Sequence, residues 1–282
     1  SGITKSLSPM NRQERRRLEK LRQRTLTDRD LKNPQVMLEK GFAHQQFEEH
    51  EIAAELYNKV LAIDPEHADA HHMLGAIDYT EGRYQDAADK ITRALQIDEQ
   101  NAGYWTNLGN ALKELERHEE AAVAYENALA LNPEFTAAAF NLGNLHREND
   151  EVDLAIAAYQ RALEVDANYE EAWLNLGTSY QAKGDPTSAE TAYRKAISID
   201  PSYVDAHNNL GNLLIELGRL DEAEAAVQKA LDLAPEFPDA FYNKGKLAEA
   251  RGDKPAAKAA YEQAISLDED YDDAKEALAA LG

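Results

Sequence analysis

Residues 105–133 read WTNLGNALKELERHEEAAVAYENALALNP. Trp105, Leu108 and Leu112 recur at helical three- and four-residue steps, and so do Ala121, Tyr125, Ala128 and Leu129. The small residues Gly109, Ala121 and Ala128 allow two antiparallel helices to approach closely, while Trp105, Leu108 and Tyr125 fill the space between them. Pro133 cannot continue a helix and opens a turn. The stretch is a helix hairpin with one apolar seam.

Working outward, the same pattern returns every 34 residues. Glycines fall at 41, 75, 109, 143, 177, 211 and 245. Twelve residues behind each comes an alanine (Ala53, Ala87, Ala121, Ala155, Ala189, Ala223, Ala257), and four further on a large residue (Tyr57, Ile91, Tyr125, Tyr159, Tyr193, Val227, Tyr261). Gly82, Gly184, Gly218 and Gly252 sit where the first helix of a unit must stop, supplying the left-handed residue of a C-cap. Pro65, Pro133, Pro201 and Pro235 close four units; Glu99, Ala167 and Glu269 replace the proline and weaken those turns. One hairpin cannot bury its own apolar face, so neighbours must stack.

At these residues the chain resembles the tetratricopeptide repeat family, whose W-x-x-L-G…A…P pattern and 34-residue length stand here nearly complete. The resemblance covers seven units (34–67, 68–101, 102–135, 136–169, 170–203, 204–237, 238–271), with a basic, partly helical segment at 1–33 and a capping helix at 272–282. It implies an all-α right-handed superhelical solenoid of helix-turn-helix units. Lys40 and Lys244 replace the leucine before glycine in the first and last units, as suits solenoid ends. The Asn-Leu-Gly-Asn runs at 107–110, 141–144 and 209–212 are similar to repeats of O-linked N-acetylglucosamine transferases and bacterial relatives. So are the aromatics Phe135, Tyr169, Tyr203, Phe237 and Tyr271 ahead of each new unit. That likeness implies an alternative role as the targeting arm of a glycosyltransferase whose catalytic domain lies outside this chain.

Composition narrows the function. The 282 residues carry 30 Lys+Arg against 52 Asp+Glu, a net charge of −22, and no Cys. Disulfides, thiolate zinc sites and cysteine nucleophiles are excluded, and a reducing, cytoplasmic location is expected. No apolar run reaches the ~20 residues of a membrane span. Charge is uneven: ten basic residues stand against four acidic ones in 1–33, a head of +6, which leaves −28 on the remainder. Nucleic acid is therefore not expected on the repeats.

In the family geometry, positions 2, 5, 6, 9, 12 and 13 of each unit face a concave groove. Position 6 places Asn107, Asn141, Asn175, Asn209 and Asn243 in a row, and position 9 adds Asn110, Asn144 and Asn212. A side-chain amide offers one acceptor and two donors, so a ladder of them can pair with the backbone of an extended peptide. Asparagine at position 6 is also a habit of the family without ligand contact. The inward set holds nine acidic residues and three basic ones, favouring a neutral or basic ligand. The expected function is a protein-interaction scaffold that grips a peptide or protein segment through these amides, with self-assembly as a further alternative.

Asn11-Arg-Gln-Glu14 reads as a capping box opening a helix to about Arg24. That basic helix can dock on an acidic repeat surface of its own or a second copy, meet an anionic surface, or stay solvated. Ser1–Pro9 reads as a processed or added end. No catalytic motif, cofactor site or metal site is expected. His67 and His71 have metal-like i, i+4 spacing, but His71 occupies the slot of Trp105 and Trp173, which packing explains.

Overall fold

The computed structural model describes residues 11–282, so Lys5 and Ser1–Pro9 lie outside the described residues. Among these residues there are sixteen α-helices, one short 3-10 turn and no strand. The chain divides into two compact units, 1–145 and 146–282.

The first unit begins with α1 (Arg12–Gln23), followed by a 3-10 turn (Asp30–Lys32). Next come α2 (Pro34–Gln45) with α3 (His50–Ile63), α4 (Ala68–Thr80) with α5 (Tyr84–Ile97), α6 (Ala102–Glu114) with α7 (His118–Leu131), and most of α8 (Thr136–Glu148). The second holds α9 (Val152–Val165), α10 (Glu170–Lys183) with α11 (Pro186–Ile199), and α12 (Val204–Glu216) with α13 (Leu220–Leu233). It ends with α14 (Pro238–Ala250), α15 (Lys254–Leu267) and α16 (Asp272–Leu281). Within each unit the most extensive packing joins the two helices of a hairpin, and the second helix then packs on the first helix of the next.

The seam of each hairpin is built as its residues require. A Cβ on Gly109 would stand 2.6 Å from Cε1 of Tyr125, and one on Gly211 would stand 2.7 Å from Cγ2 of Val227. Tyr57, Tyr125, Tyr159, Tyr193 and Tyr261 are fully buried, and with Ile91 and Val227 they form the row that holds each pair together. In the second unit, Ala189, Tyr193, Ala206, Leu210, Leu213 and Leu214 share one cluster with Leu247.

The turn inside each hairpin needs one left-handed residue. Gly82, Gly184, Gly218 and Gly252 supply it at φ between 72° and 80°. At the equivalent positions Glu48, Glu116 and Asp150 adopt φ of 61°, 58° and 60°. A side chain in this region costs about 1 kcal/mol, which the surrounding helices override.

The turn between hairpins does not depend on proline. The side chains of Asp64, Asp98, Asn132, Asp166, Asp200 and Asp268 each accept from the backbone N–H two residues on, at 2.8–3.2 Å. These Asx turns persist where Glu99, Ala167 and Glu269 stand in place of proline.

The N-terminal helix is docked, not free. Asn11 accepts from the N–H groups of Gln13 (3.0 Å) and Glu14 (2.9 Å), as the capping box predicts. Leu18 is buried, α1 packs on α2, Arg22 pairs with Glu49 (3.1 Å), and the Arg22 guanidinium lies 4.3 Å above the Phe47 ring. The basic segment thus seats on its own acidic first hairpin.

Candidate functional site

The first helix of every hairpin carries the polar residues that the sequence places on one face. In the first unit they are largely engaged with one another. Asn107 Nδ2 lies 2.6 Å from Nε2 of His72. The Tyr125 hydroxyl donates to Oδ1 of Asn110 (2.7 Å), and Asn141 Nδ2 donates to the same oxygen (2.9 Å). Asn110 is buried, while Asn107, Asn141 and Asn144 are half-buried. Asn144 has interactions of its own. Asp69 accepts from the Tyr104 hydroxyl, and Tyr104 stacks on His72 at 4.6 Å between ring centroids. Burial lowers the His72 pKa to about 4, against a smaller opposing effect of the Asp69 charge.

In the second unit the arrangement is more open. Asn175 hydrogen-bonds the Tyr159 hydroxyl, whose pKa burial pushes up to about 12. Asn209 is half-buried and its side chain makes no hydrogen bond among the described residues. Asn212 donates to Glu216 (3.0 Å) and accepts from the Lys246 ammonium (2.5 Å). Asn243 is buried and donates to Oδ1 of Asn208 at 2.8 Å. Along the same helices run Glu171, Asp205 and Asp239, one per hairpin. Partial burial, followed by the neighbouring Asp239 charge, raises the Asp205 carboxyl above its ordinary value. The Tyr271 hydroxyl donates to Asp239 at 2.6 Å.

The eight asparagines therefore play different parts. Asn110 and Asn243 are buried ties between helices, Asn107 and Asn141 join such ties, Asn209 is half-buried with no side-chain bond among the described residues, and Asn212 is half-buried between Glu216 and Lys246. The sequence reading missed the tyrosine hydroxyls as the groups that occupy these amides. The signal was present, because Tyr57, Tyr125, Tyr159, Tyr193 and Tyr261 share one repeat position. Several inward acids are likewise engaged: Glu114 by Tyr79 (3.4 Å), Glu216 by Gln181 (2.9 Å) and Glu249 by Tyr261 (2.5 Å).

His71 serves packing against the preceding turn. His71 Nε2 lies 3.0 Å from the Pro65 carbonyl, and His207 repeats this with Pro201 at 3.0 Å. The indole N–H groups of Trp105 and Trp173 make the same contact six residues back, to Glu99 (2.9 Å) and Ala167 (3.0 Å). Imidazole thus replaces indole as the donor to the preceding turn. No described helix is long and apolar enough to cross a membrane.

Comparison with known proteins agrees with this architecture. A family profile described as tetratricopeptide repeat matches residues 38–102, 106–172 and 174–240, and a second of the same description matches 238–271. No curated protein matches significantly. Among solved structures, YrrB, described as a TPR protein with an unusual peptide-binding site, is 24% identical with a TM-score of 0.57, over 67% of this chain and 98% of its own. A tetratricopeptide repeat protein from Parabacteroides merdae is 22% identical with a TM-score of 0.64, over 88% of this chain and 98% of its own. The PilF protein of Pseudomonas aeruginosa is 19% identical with a TM-score of 0.64, over 76% of this chain and 97% of its own.

Proposed function

Because the chain belongs to the tetratricopeptide repeat family, we propose that it is a non-catalytic interaction scaffold that takes an extended, neutral or basic peptide segment along its first-helix faces. The observation that carries this reading is in the second unit. Half-buried amides at Asn209 and Asn212 lie on the same helix as Asp205, in a row of carboxylates (Glu171, Asp205, Asp239) where partial burial, followed by the Asp239 charge, raises the Asp205 carboxyl. Amides recognise main chain without regard to side chains. Carboxylates that repel one another are relieved by a Lys or Arg of the ligand. Asn175 completes the set, with its Tyr159 bond orienting the amide. The peptide-binding description of YrrB, a protein of the same fold, supports the reading.

The test is a peptide array to select a binder, followed by calorimetry on the Asn175→Ala, Asn209→Ala, Asn212→Ala triple variant. At a net ~1 kcal/mol per hydrogen bond, affinity should fall at least tenfold with helicity intact. Asn110→Ala is the control. It should lower the unfolding midpoint by removing the buried acceptor shared by Tyr125 and Asn141, and leave binding to the second unit unchanged. Unaltered affinity in the triple variant refutes the amide role.

A further inference from the structure

Several arginines of the repeats are engaged by carboxylates: Arg93 by Glu66 (2.5 Å), Arg117 by Glu120 (2.7 Å), Arg219 by Glu190 (2.6 Å) and Glu222 (2.7 Å), and Arg251 by Glu224 (2.9 Å). The N-terminal helix breaks that habit. Arg12, Arg15, Arg16, Arg17 and Lys20 are exposed and form no ion pair among the described residues, in a chain whose carboxylates outnumber its cations 52 to 30. Arg12, Arg16 and Lys20 follow at four-residue steps, about 6 Å apart along the helix. At 100° per residue they project from the face opposite the buried Leu18. The helix is held rigidly beneath them by its Asn11 cap and the Arg22 contacts to Glu49 and Phe47. A free tail would let cations collapse onto nearby acids. This helix holds a cationic row out in solvent.

The chemistry of that row selects its partner. Residues 1–33 contain no aromatic side chain, so nothing there can stack on nucleic acid bases. The outer face carries no apolar residue to insert into a lipid layer. What remains is charge-assisted pairing with carboxylates presented in series. Such a series exists in this chain at Asp268-Glu269-Asp270-Tyr271-Asp272-Asp273, where all five carboxylates are exposed. Its one ion pair among the described residues joins Asp272 to Lys275 at 3.0 Å.

We propose that the outer face of α1 binds the 268–273 acidic run of a second copy of the chain. The contact joins unlike surfaces, basic start to acidic end, and every copy carries both halves of it. It is independent of the peptide reading, which concerns other residues. Both surfaces are exposed, so salt screens the contact strongly.

Sedimentation velocity on the full chain at 20 mM and 500 mM NaCl tests it. Association at low salt that is lost at high salt is expected. The Arg12→Glu, Arg16→Glu, Lys20→Glu variant and the Glu269→Lys, Asp270→Lys, Asp273→Lys variant should each sediment as monomers with wild-type helicity. Mixed together they should associate again, through an acidic head on a basic tail. A wild-type monomer at 20 mM salt overturns the proposal, as does association that survives reversal of either surface, or reversed variants that fail to pair. Vesicles containing phosphatidylserine and a single-stranded oligonucleotide form two further arms. Binding of either by the wild-type chain without self-association assigns the helix to that partner and overturns the second copy.

Discussion

The hairpins α6/α7 and α12/α13 carry the same Asn-Leu-Gly-Asn run on the first helix, at 107–110 and 209–212, yet the final asparagine behaves differently in each. In α6/α7 the second helix offers Tyr125, whose hydroxyl draws Asn110 into the interior and makes it a junction that also receives Asn141. In α12/α13 the same place holds Val227, which has no hydroxyl, and Asn212 stays half-exposed with Glu216 and Lys246. Between these two hairpins, one side chain on the second helix separates an amide tied across the hairpin from one that bonds along its own face. A similar contrast separates their outer neighbours. Position 5 pairs with the next position 6 as His72 with Asn107 in the first unit, and as Asn208 with Asn243 in the second. One pair is titratable and the other is not.

The strongest way to break the comparison is to delete the deciding residue. Tyr125→Ala removes a fully buried ring and one of the two donors to Asn110, and should cost about 3–5 kcal/mol; Val227→Ala should cost about 2 kcal/mol. Denaturant unfolding of the two variants checks the difference, and equal losses would mean the hydroxyl tie contributes nothing.

Acid should sharpen it next. The unfolded His72 takes a proton near its ordinary 6.5 and the folded one only near pH 4. Below pH 6.5 the unfolded state therefore binds more protons, and the native state loses stability as pH falls toward 4, by on the order of 3 kcal/mol at the lower end. Thermal melts at pH 7 and pH 4.5 should show this loss shrinking in His72→Asn, which copies the Asn208 pair. An unchanged pH response would remove His72 as its source.

The smallest effect concerns the turns. Glu116 closes α6/α7 at φ 58° and Gly218 closes α12/α13 at φ 72°. Glu116→Gly should raise stability by about 0.5–1 kcal/mol, and Gly218→Ala should lower it by about 1 kcal/mol. Shifts of the same sign in the two melting temperatures would contradict this.

Much of the architecture was legible beforehand because it is local or periodic. The glycines at 82, 184, 218 and 252 announce their left-handed turns, Asn11 announces its cap, and the His71 slot could be read from Trp105 and Trp173. Glu48 and Glu116 were less legible, since glutamate does not signal a positive φ, and Asp150 signals it only weakly. The candidate site was half legible: spacing assigned the asparagines to a face but not to partners.

What the amino-acid order alone determined is the 34-residue period, the pairing of helices and the side of each helix that is polar, because these follow from steps of three and four within one helix. The state of each amide was decided only by tertiary structure. Its partners lie 15 residues away for Tyr125 and Asn110 and 31 to 35 away for Asn141 with Asn110 and Asn243 with Asn208. A hydrogen bond across such separations exists only after two helices have packed, so an amide's free valence depends on neighbours that its own spacing does not encode.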